Sequence, residues 1–254
     1  MIEIKSSRDI EFMRRAGMIA GKALALGGGM AAPGITTGEI DNAIREYIRS
    51  QGAEPSFLGY NGFAASSCIS VNEEVIHGIP GSRRLREGDV VSIDVGACFE
   101  GYHGDTAATW PVGSVSAKAD ALIRVTRECF FKGFEQAREG KRVSDISRAV
   151  QRHAESHGFG VVYQWTGHGV GKKLHEEPEV PHVDAGRPGP RLLRGMTICI
   201  EPMISVGKPH TRTLRDRWTV VTEDGSLSAH YEHTVLITQE KPELLTWVGD
   251  DAYG

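Results

Sequence analysis

Two aspartates stand in residues 90–105, a stretch that otherwise predicts a buried strand. Asp94 interrupts the apolar run VVSIDVGACF, and Asp105 follows eleven positions later in GYHGDT. Further along the chain, Glu201 ends a second apolar run, MTICIE. A lone carboxylate in a strand usually turns toward water, because burying it unpaired costs several kcal/mol. Carboxylates that are buried at these positions therefore need cations as partners.

Two further side chains fit the same chemistry. Glu232 lies in AHYEHT directly before an apolar VLI, and His168 lies in TGHGVG, where glycines allow close backbone approach. Two aspartates, two glutamates and one histidine form an oxygen-rich set that suits Mn²⁺, Fe²⁺, Co²⁺ or Zn²⁺. Five side chains of this kind suit a pair of divalent ions, which activate a shared water and polarise a carbonyl.

The elements that position these residues follow from caps and periodicity. Ser6-x-x-Asp9 and Thr36-x-x-Glu39 have the pattern of capping boxes, each followed by apolar residues at helical spacing. The first helix is predicted to stop at the glycines 27–29, and Ser144 is predicted to open the fourth. The residues that mark the third helix are Leu122, Val125 and Cys129.

Apolar segments between these helices predict strands. The Asp224-Gly225 pair has the composition of a tight turn and predicts a hairpin between the segments 218–222 and 233–238. The predicted strands lie near 66–71, 90–97, 106–112, 161–165, 197–204, 218–222 and 233–238.

The chain also repeats itself at a nearly constant offset. GITTGEIDNAIREYIRSQG from Gly34 matches GKRVSDISRAVQRHAESHG from Gly140, and LREGDVVSID matches LLRGMTICIE. Residues 74–77 (EVIH) match residues 179–182 (EVPH) in the same order. Three ordered matches predict a duplicated α+β unit with a pseudo-twofold axis. Because no Pro/Ser-rich linker separates the halves, we expect one catalytic domain over 1–254, with halves of about 1–110 and 111–254.

Composition excludes several classes of protein. The 254 residues are 40% hydrophobic and 24% charged, with a formal net charge of −4 and no long basic run. We therefore expect no nucleic-acid partner. No signal-peptide pattern opens the chain, and no apolar run approaches the roughly 20 residues of a membrane span. The four cysteines are widely spaced, which predicts free buried thiols in a reducing cytoplasm.

The motifs in their chain order resemble the type I methionine aminopeptidases. The resemblance rests on SIDV, GYHGDT, TGHGVG, IEPM and YEHT, and extends from the first helix to the strand after Glu232. HGIP at 77–80, HEEP at 175–178 and RWT at 217–219 are also similar to that family. Type II relatives carry a helical insertion before the Glu201 strand, whereas the connection here is short and resembles type I.

The resemblance implies a fold and a metal set. The fold is the pita-bread fold, a duplicated α+β unit with a central curved antiparallel sheet flanked by helices. The cofactors implied are two divalent ions (Co, Mn, Fe(II) or Zn). Asp94 would bind one ion, Asp105 and Glu232 would bridge both, and His168 and Glu201 would complete the second. Glu201 would also accept the proton of the attacking water.

The resemblance also implies substrate contacts. His175 would hydrogen-bond the developing oxyanion of the scissile carbonyl, and His77 would contact the scissile amide nitrogen. The implied walls of the methionine pocket are Tyr60, Phe63, Cys68 and Trp218. This chain departs from the family where GYNGF at 59–63, including Asn61, replaces the usual Gly-Tyr-His-Gly-Tyr. Phe57 and Leu174 stand at pocket positions that vary in size, so the pocket shape is left open.

The function implied is removal of the N-terminal methionine from nascent proteins and peptides, preferring a small second residue. The partner expected is a peptide or nascent chain, met near the ribosome, and the enzyme is expected to be a cytoplasmic monomer. Two alternatives stay open on the same fold. One is an Xaa-Pro peptidase, whose members usually carry a separate N-terminal domain for which 254 residues leave no room. The other is a non-catalytic peptide-binding module, whose members typically lose metal ligands.

Overall fold

Four helices form where the sequence predicts them. The structure is a computed structural model that describes residues 2–249. Asp9 and Glu39 complete the two predicted capping boxes with Ser6 and Thr36. The fourth helix begins one residue before Ser144, since the backbone N–H of Arg142 donates to the Asp145 carboxylate at 2.9 Å. The helices are α1 (Ser7–Gly29), α2 (Thr37–Ser50), α3 (Ala117–Phe134) and α4 (Val143–Ser156).

The strands are mostly short, and two of them span ten residues. In chain order they are β1 (Glu54–Pro55), β2 (Ser67–Val71), β3 (Glu74–Ile76), β4 (Val90–Phe99), β5 (Tyr102–Pro111), β6 (Gly160–Val161), β7 (Gly167–Gly169), β8 (Glu176–Val180), β9 (Thr197–Ile200), β10 (Met203–Ser205), β11 (Thr211–Thr213), β12 (Val220–Thr222), β13 (Ser228–His230), β14 (Glu232–Leu236) and β15 (Glu243–Leu244).

The largest sheet is antiparallel and has a symmetric centre. Its strand order is β1-β4-β5-β14-β9-β7-β8, with β2 paired on β4 and β15 paired on β14. The first half of the chain supplies β4 and β5, and the second half supplies β9 and β14 in mirror order. The predicted α+β class with its duplicated antiparallel sheet is confirmed. The two halves therefore meet at the β5–β14 pairing.

Glycines let α1 lie directly on this sheet. A Cβ on Gly104 of β5 would stand 2.5 Å from the backbone nitrogen of Gly17 in α1, closer than any real side chain tolerates. In the second half, α3 packs against α4 at Gly133, whose added Cβ would meet Val150 at 3.0 Å and Ile146 at 3.1 Å. The apolar faces of the helices and the sheet form one continuous core. The helices thereby fix the strands that carry the carboxylates.

The predicted hairpin at Asp224-Gly225 is wrong. The turn itself forms, because the Ser226 N–H donates to the Asp224 carboxylate at 3.0 Å. However, β12 pairs with β11 and β3, while the following β13 pairs with β10. The predicted strand 197–204 is also interrupted, since Glu201 and Pro202 separate β9 from β10 and proline has no N–H for a ladder.

Two other expectations concern cysteines and membranes. The four cysteines are free, as predicted, but Cys98 is half-buried whereas the other three are buried. Across residues 2–249, no helix combines the length and the apolar character that crossing a membrane requires.

Candidate active site

Strand register brings three of the carboxylates onto one face of the sheet. Asp94 of β4 and Glu232 of β14 are both paired with Ala107 of β5, one from each side. Asp105 lies two residues before Ala107 and so points to the same face, because side chains alternate along a strand. This face of the sheet therefore collects three acidic side chains at the meeting line of the two halves.

Glu201 and His168 complete the predicted set. Glu201 directly follows β9, and His168 lies in the middle of β7, three strands from β5. The His168 Nε2 is 3.5 Å from the Glu201 Oε1 and 3.8 Å from the Asp105 Oδ2. All five side chains predicted to bind metal are thus brought together, although they are spread over more than half of the chain.

The cluster holds buried oxygens that lack partners. Asp94 Oδ1, Asp105 Oδ1 and Glu232 Oε1 have no hydrogen-bond partner within residues 2–249. Burial raises the pKa of Asp105 to about 7. Burial, and next the repulsion from Asp105, raise the pKa values of Asp94, Glu201 and Glu232 well above their ordinary range. Orphaned acceptors at such a density fit divalent cations, which supply the missing positive charge.

The imidazole of His168 is prepared for ligation. Its Nδ1 donates to the carbonyl of Gly169 at 2.8 Å, which leaves the Nε2 lone pair directed at the carboxylates. Burial, and to a smaller extent His175, lower the pKa of His168 to about 3. The ring is therefore neutral at pH 7, the form that binds metals.

Two buried histidines beside Glu201 were not among the candidate functional residues of the sequence analysis. The Nε2 of His182 accepts the backbone N–H of Glu201 at 3.0 Å. The Nε2 of His230 is 3.9 Å from Glu201 Oε2 and 3.7 Å from Glu232 Oε2. His182 occupies the repeat position that corresponds to His77, a signal that the repeat analysis contained. No sequence signal marks His230.

A cavity of about 380 Å³ opens onto the cluster. In its wall Phe63 packs edge-on against Trp218, with ring centroids 5.0 Å apart. The wall is apolar, aromatic and sulfur-bearing, and every predicted pocket residue contributes to it. The predicted residues that line the cavity are Tyr60, Phe63, Cys68, His77, His175 and Trp218, together with Phe57, Asn61 and Leu174.

The two predicted catalytic histidines both line this cavity. The ring of His175 lies 4.2 Å from that of His168, and its Nδ1 is 2.7 Å from the Tyr60 hydroxyl. His77 follows β3 with a φ of +59°, an uncommon conformation for a residue with a side chain. Its ring contacts Trp165 edge-on at 5.4 Å. Trp165 also lines the cavity, although the sequence analysis did not single it out.

Comparisons with known proteins identify the family of the chain. The model of metallopeptidase family M24 matches residues 11–239. A methionine aminopeptidase of Clostridium perfringens is 52% identical over 250 residues, which cover 98% of this chain and 100% of that protein. Methionine aminopeptidase 1 of Bacillus subtilis is 48% identical and is covered over its full length.

Solved structures show the same relationship. Methionine aminopeptidase from Thermotoga maritima superposes with a TM-score of 0.96 at 41% identity, covering 98% of this chain and 100% of that one. A prolidase from Pyrococcus furiosus shares the fold with a TM-score of 0.80 at 25% identity, and the match covers 66% of that longer chain. With its metal-ligating cluster, its cavity and full-length relatives of this similarity, the chain belongs to metallopeptidase family M24, a family of hydrolases, and within it to the methionine aminopeptidases.

Proposed function

We propose that the protein removes the N-terminal methionine from peptides and nascent proteins and prefers a small second residue. The observation that carries the proposal is one cavity lined both by the carboxylate–histidine cluster and by an apolar, aromatic and sulfur-bearing wall. A thioether side chain would contact that wall, where sulfur–aromatic contacts contribute about 0.3–1.5 kcal/mol each. The scissile bond of such a substrate would then lie next to the carboxylates. Full-length relatives named methionine aminopeptidase support the same activity.

The metal ligands proposed are the five clustered side chains. Their partnerless buried oxygens and neutral imidazole support binding of two divalent ions, with Co, Mn, Fe(II) and Zn as the candidates. Such ions would activate water and polarise the scissile carbonyl. The residues that would hold the ions are Asp94, Asp105, His168, Glu201 and Glu232.

Glu201 is proposed as the general base that accepts a proton from the attacking water. Its carboxylate lies at the cavity wall, and its pKa is raised by burial and by Asp105. Bound ions would keep this carboxylate ionised, which is the form that can accept a proton. The hydrogen bond from its backbone N–H to His182 fixes the position of this residue.

His175 is proposed to stabilise the negative charge that develops on the carbonyl oxygen. If the Tyr60 hydroxyl donates to Nδ1, the ring proton stands on Nε2, and this N–H donates to the substrate. Burial lowers the pKa of His175, so the ring is neutral at pH 7 and needs this tautomer to donate. His77, at the same cavity, is proposed to contact the scissile amide nitrogen.

The cellular setting is proposed on the same basis. We expect a monomer that acts in the cytoplasm on chains emerging near the ribosome. We also propose that residues 1–254 form one catalytic domain built from halves of about 1–110 and 111–254. The symmetric strand order about β5 and β14 supports the two halves.

A peptide panel tests the substrate proposal. We would measure kcat/KM for Met-Ala-Ser, Met-Gly, Met-Leu, Leu-Ala, Ala-Pro and N-formyl-Met-Ala. We expect Met-Ala-Ser and Met-Gly to be cleaved best, and Met-Leu poorly. Cleavage of Leu-Ala as efficient as that of Met-Ala-Ser would overturn the methionine assignment. Efficient turnover of Ala-Pro would favour an Xaa-Pro peptidase, and turnover of the formylated peptide would contradict a need for a free amine.

Chelation tests the metal proposal. Apo protein should be inactive, and adding Mn²⁺, Co²⁺, Fe²⁺ or Zn²⁺ singly should identify the ions that restore peptide cleavage. Metal content measured alongside activity gives the stoichiometry. Full activity of protein that is shown to be metal-free would contradict the mechanism.

A further inference from the structure

A second group of metal-ligating side chains lies outside the cavity, between α3 and α4. It consists of Glu128 on α3 with His153 and His157 on and just after α4, and we name it the α3–α4 cluster. None of the three residues lines the cavity of the active site. We propose that this cluster binds one borderline divalent cation, such as Ni²⁺ or Zn²⁺, independently of the catalytic centre.

The spacing of the two histidines is suited to chelation. Residues four apart lie above one another on the same helical face, an arrangement by which helices present paired histidines to zinc. The two imidazole centroids are 4.6 Å apart. Glu128 approaches from the neighbouring helix, with its Oε2 2.8 Å from the His153 Nε2. Ligand atoms of all three residues lie within 4.8 Å of one another.

A small adjustment would bring the donors to ligating distance. An ion about 2.1 Å from each donor holds tetrahedral ligands about 3.4 Å apart. His157 is exposed, so its ring has room to turn toward the other two. His153 and Glu128 keep 17% and 37% of their side chains exposed, which gives a cation direct access from solvent.

The hydrogen bonds of the cluster favour the ligating tautomer. The Nδ1 of His157 lies 2.9 Å from the carbonyl of His153, to which it must donate. The lone pair of His157 is therefore on Nε2, and a backbone carbonyl behind the ring is the usual outer partner of a metal-bound histidine. Between His153 and Glu128 lies one shared proton, and a cation would take its place.

The charge of Glu128 is also favourable. Partial burial raises its pKa, but the hydrogen bonds from His153 and Arg124 outweigh this effect and leave the pKa below its ordinary value. The carboxylate is thus ionised at neutral pH. Arg124 binds the other oxygen, Oε1, at 2.7 Å, so Oε2 remains as the ligand atom. This guanidinium lowers the affinity for a cation without occupying the site.

Binding there would link the two helices of the second half. Gly133 of α3 packs against Ile146 and Val150 of α4, and the same place touches Ile200, the residue before Glu201. A cation in the α3–α4 cluster would therefore stabilise the layer that supports β9, because a ligand that binds only the folded state stabilises it. It would take no part in peptide cleavage.

Calorimetric titration with Ni²⁺ tests this site. Wild-type protein should bind one equivalent more than either His157→Ala or Glu128→Gln, and its melting temperature should rise further with Ni²⁺. His210→Ala is the matched control, since His210 is equally exposed but contacts Tyr163 instead of the cluster. The extra equivalent should persist in Asp105→Asn, which alters only the catalytic cluster. Turnover of Met-Ala-Ser by Mn²⁺-loaded His157→Ala should equal that of the wild type.

Equal numbers of bound Ni²⁺ equivalents in wild type, His157→Ala and Glu128→Gln, up to millimolar metal, would overturn the proposal. The three residues would then form only a hydrogen-bonded pair and a neighbouring histidine. Loss of the extra equivalent in Asp105→Asn would also overturn it, because the metal would then belong to the catalytic cluster. Neither result bears on the methionine aminopeptidase proposal, which the peptide panel tests separately.

Discussion

Asp105 is a buried acidic side chain whose charge acts on all three other carboxylates of the cluster. The electrostatic influence of its carboxylate raises the pKa values of Asp94, Glu201 and Glu232. At the residue scale it is therefore the point where metal binding is most sensitive to substitution.

The first prediction is that Asp105→Asn lowers metal affinity and activity together. We expect a loss of more than about 100-fold in affinity, because outer partners of metal ligands alone are worth about 10–100-fold. Equilibrium dialysis with Mn²⁺ measures it. Asp41→Asn is the control, since Asp41 is also buried but accepts three hydrogen bonds from Ser66 and Ser67. It should lose stability and keep its metals, and the reverse pattern would show that the roles are misassigned.

The second prediction distinguishes a residue that contacts the substrate from a metal ligand. His175→Ala should retain both metals but lower kcat by about 10²–10³-fold, as expected for the loss of an oxyanion donor. Tyr60→Phe should lower kcat less, because the ring remains but loses the hydroxyl that orients it. Rapid-quench or steady-state kinetics with Met-Ala-Ser measures both. His103→Ala, which changes a half-buried histidine bonded to Ser56, is the control and should keep kcat. Metal loss in His175→Ala would contradict the assignment.

At this scale the sequence predicted which side chains cluster but not what surrounds them. Asp94 and Glu201 stood out because a carboxylate in an apolar strand conflicts with burial, and this conflict can be seen in the sequence alone. His182 and His230 create no such conflict, since neutral histidines are common in cores. Their proximity to Glu201 depends on how the segment after β8, the end of β9 and β13 meet, which local patterns do not encode.

At the scale of elements, the N-terminal segment is connected to the hairpin that carries His175. The Nζ of Lys5 lies 2.5 Å from the Glu176 Oε2, and both side chains are more than nine-tenths buried. The backbone N–H of Lys5 donates to Gly195, and Glu176 also accepts the N–H of Lys173. The segment before α1 therefore fixes the loop between β7 and β8.

The third prediction is that Lys5→Met destabilises the protein by about 3–5 kcal/mol, because it leaves a buried carboxylate unpaired. Arg14→Met is the matched control. Its pair with Glu243 also joins the N-terminal region to the end of the chain, but it is exposed and should be worth less than about 1 kcal/mol. Urea unfolding of the apo proteins measures both changes. Equal losses of unfolding free energy in the two variants would show that burial of the Lys5–Glu176 pair makes no difference to stability.

Helices and strands were predictable where neighbouring residues in the sequence determine their ends. The capping residues Ser6 and Thr36 fix two helix starts through bonds within four residues. The prediction of a hairpin at Asp224-Gly225 was wrong, because a turn determines only that the chain reverses direction. It does not determine which strand each flanking segment pairs with. Partners for β12 and β14 come from distant parts of the chain, so tertiary pairing overrides the local signal.

At the scale of the whole molecule, the active site gathers buried carboxyl groups that repel one another when they are ionised. Bound metal ions would offset this repulsion. Carboxyl groups whose folded pKa values are raised bind more protons in the folded state than in the unfolded state. Their contribution to stability is therefore present below the unfolded pKa of about 4 and is lost as the pH rises through the folded pKa, about 7 for Asp105.

The fourth prediction follows from this linkage. The difference in melting temperature between metal-loaded and apo protein should widen from about pH 4 to about pH 7 and beyond, since metals compete with those protons. Buried histidines outside the metal cluster, such as His233, whose pKa is lowered to about 3 by burial, make stability rise with pH instead. They affect the loaded and the apo protein alike, so the difference in melting temperature removes their contribution. Differential scanning calorimetry across this range measures it. A difference in melting temperature between metal-loaded and apo protein that stays constant with pH would contradict the linkage.

The global architecture was predictable because the sequence repeat relates segments that lie about 105 residues apart in the chain. Matching Asp94 to Glu201 implied that two equivalent strands lie about a common centre, and the order about β5 and β14 has this form. The sequence did not reveal which strands complete each half. The three-residue β7, which supplies His168, is too short for periodicity to mark.

The late position of β14 has a consequence for how the enzyme comes into being. This strand sits between β5 and β9 in the sheet, yet it follows both of them in the chain. Until it inserts, the edges of β5 and β9 stay open, and Asp94 and Asp105 do not have Glu232 beside them. Contacts of such long sequence separation form slowly. The acidic cluster is therefore completed in one slow step of folding, when β14 enters the sheet and brings Glu232 to the two aspartates.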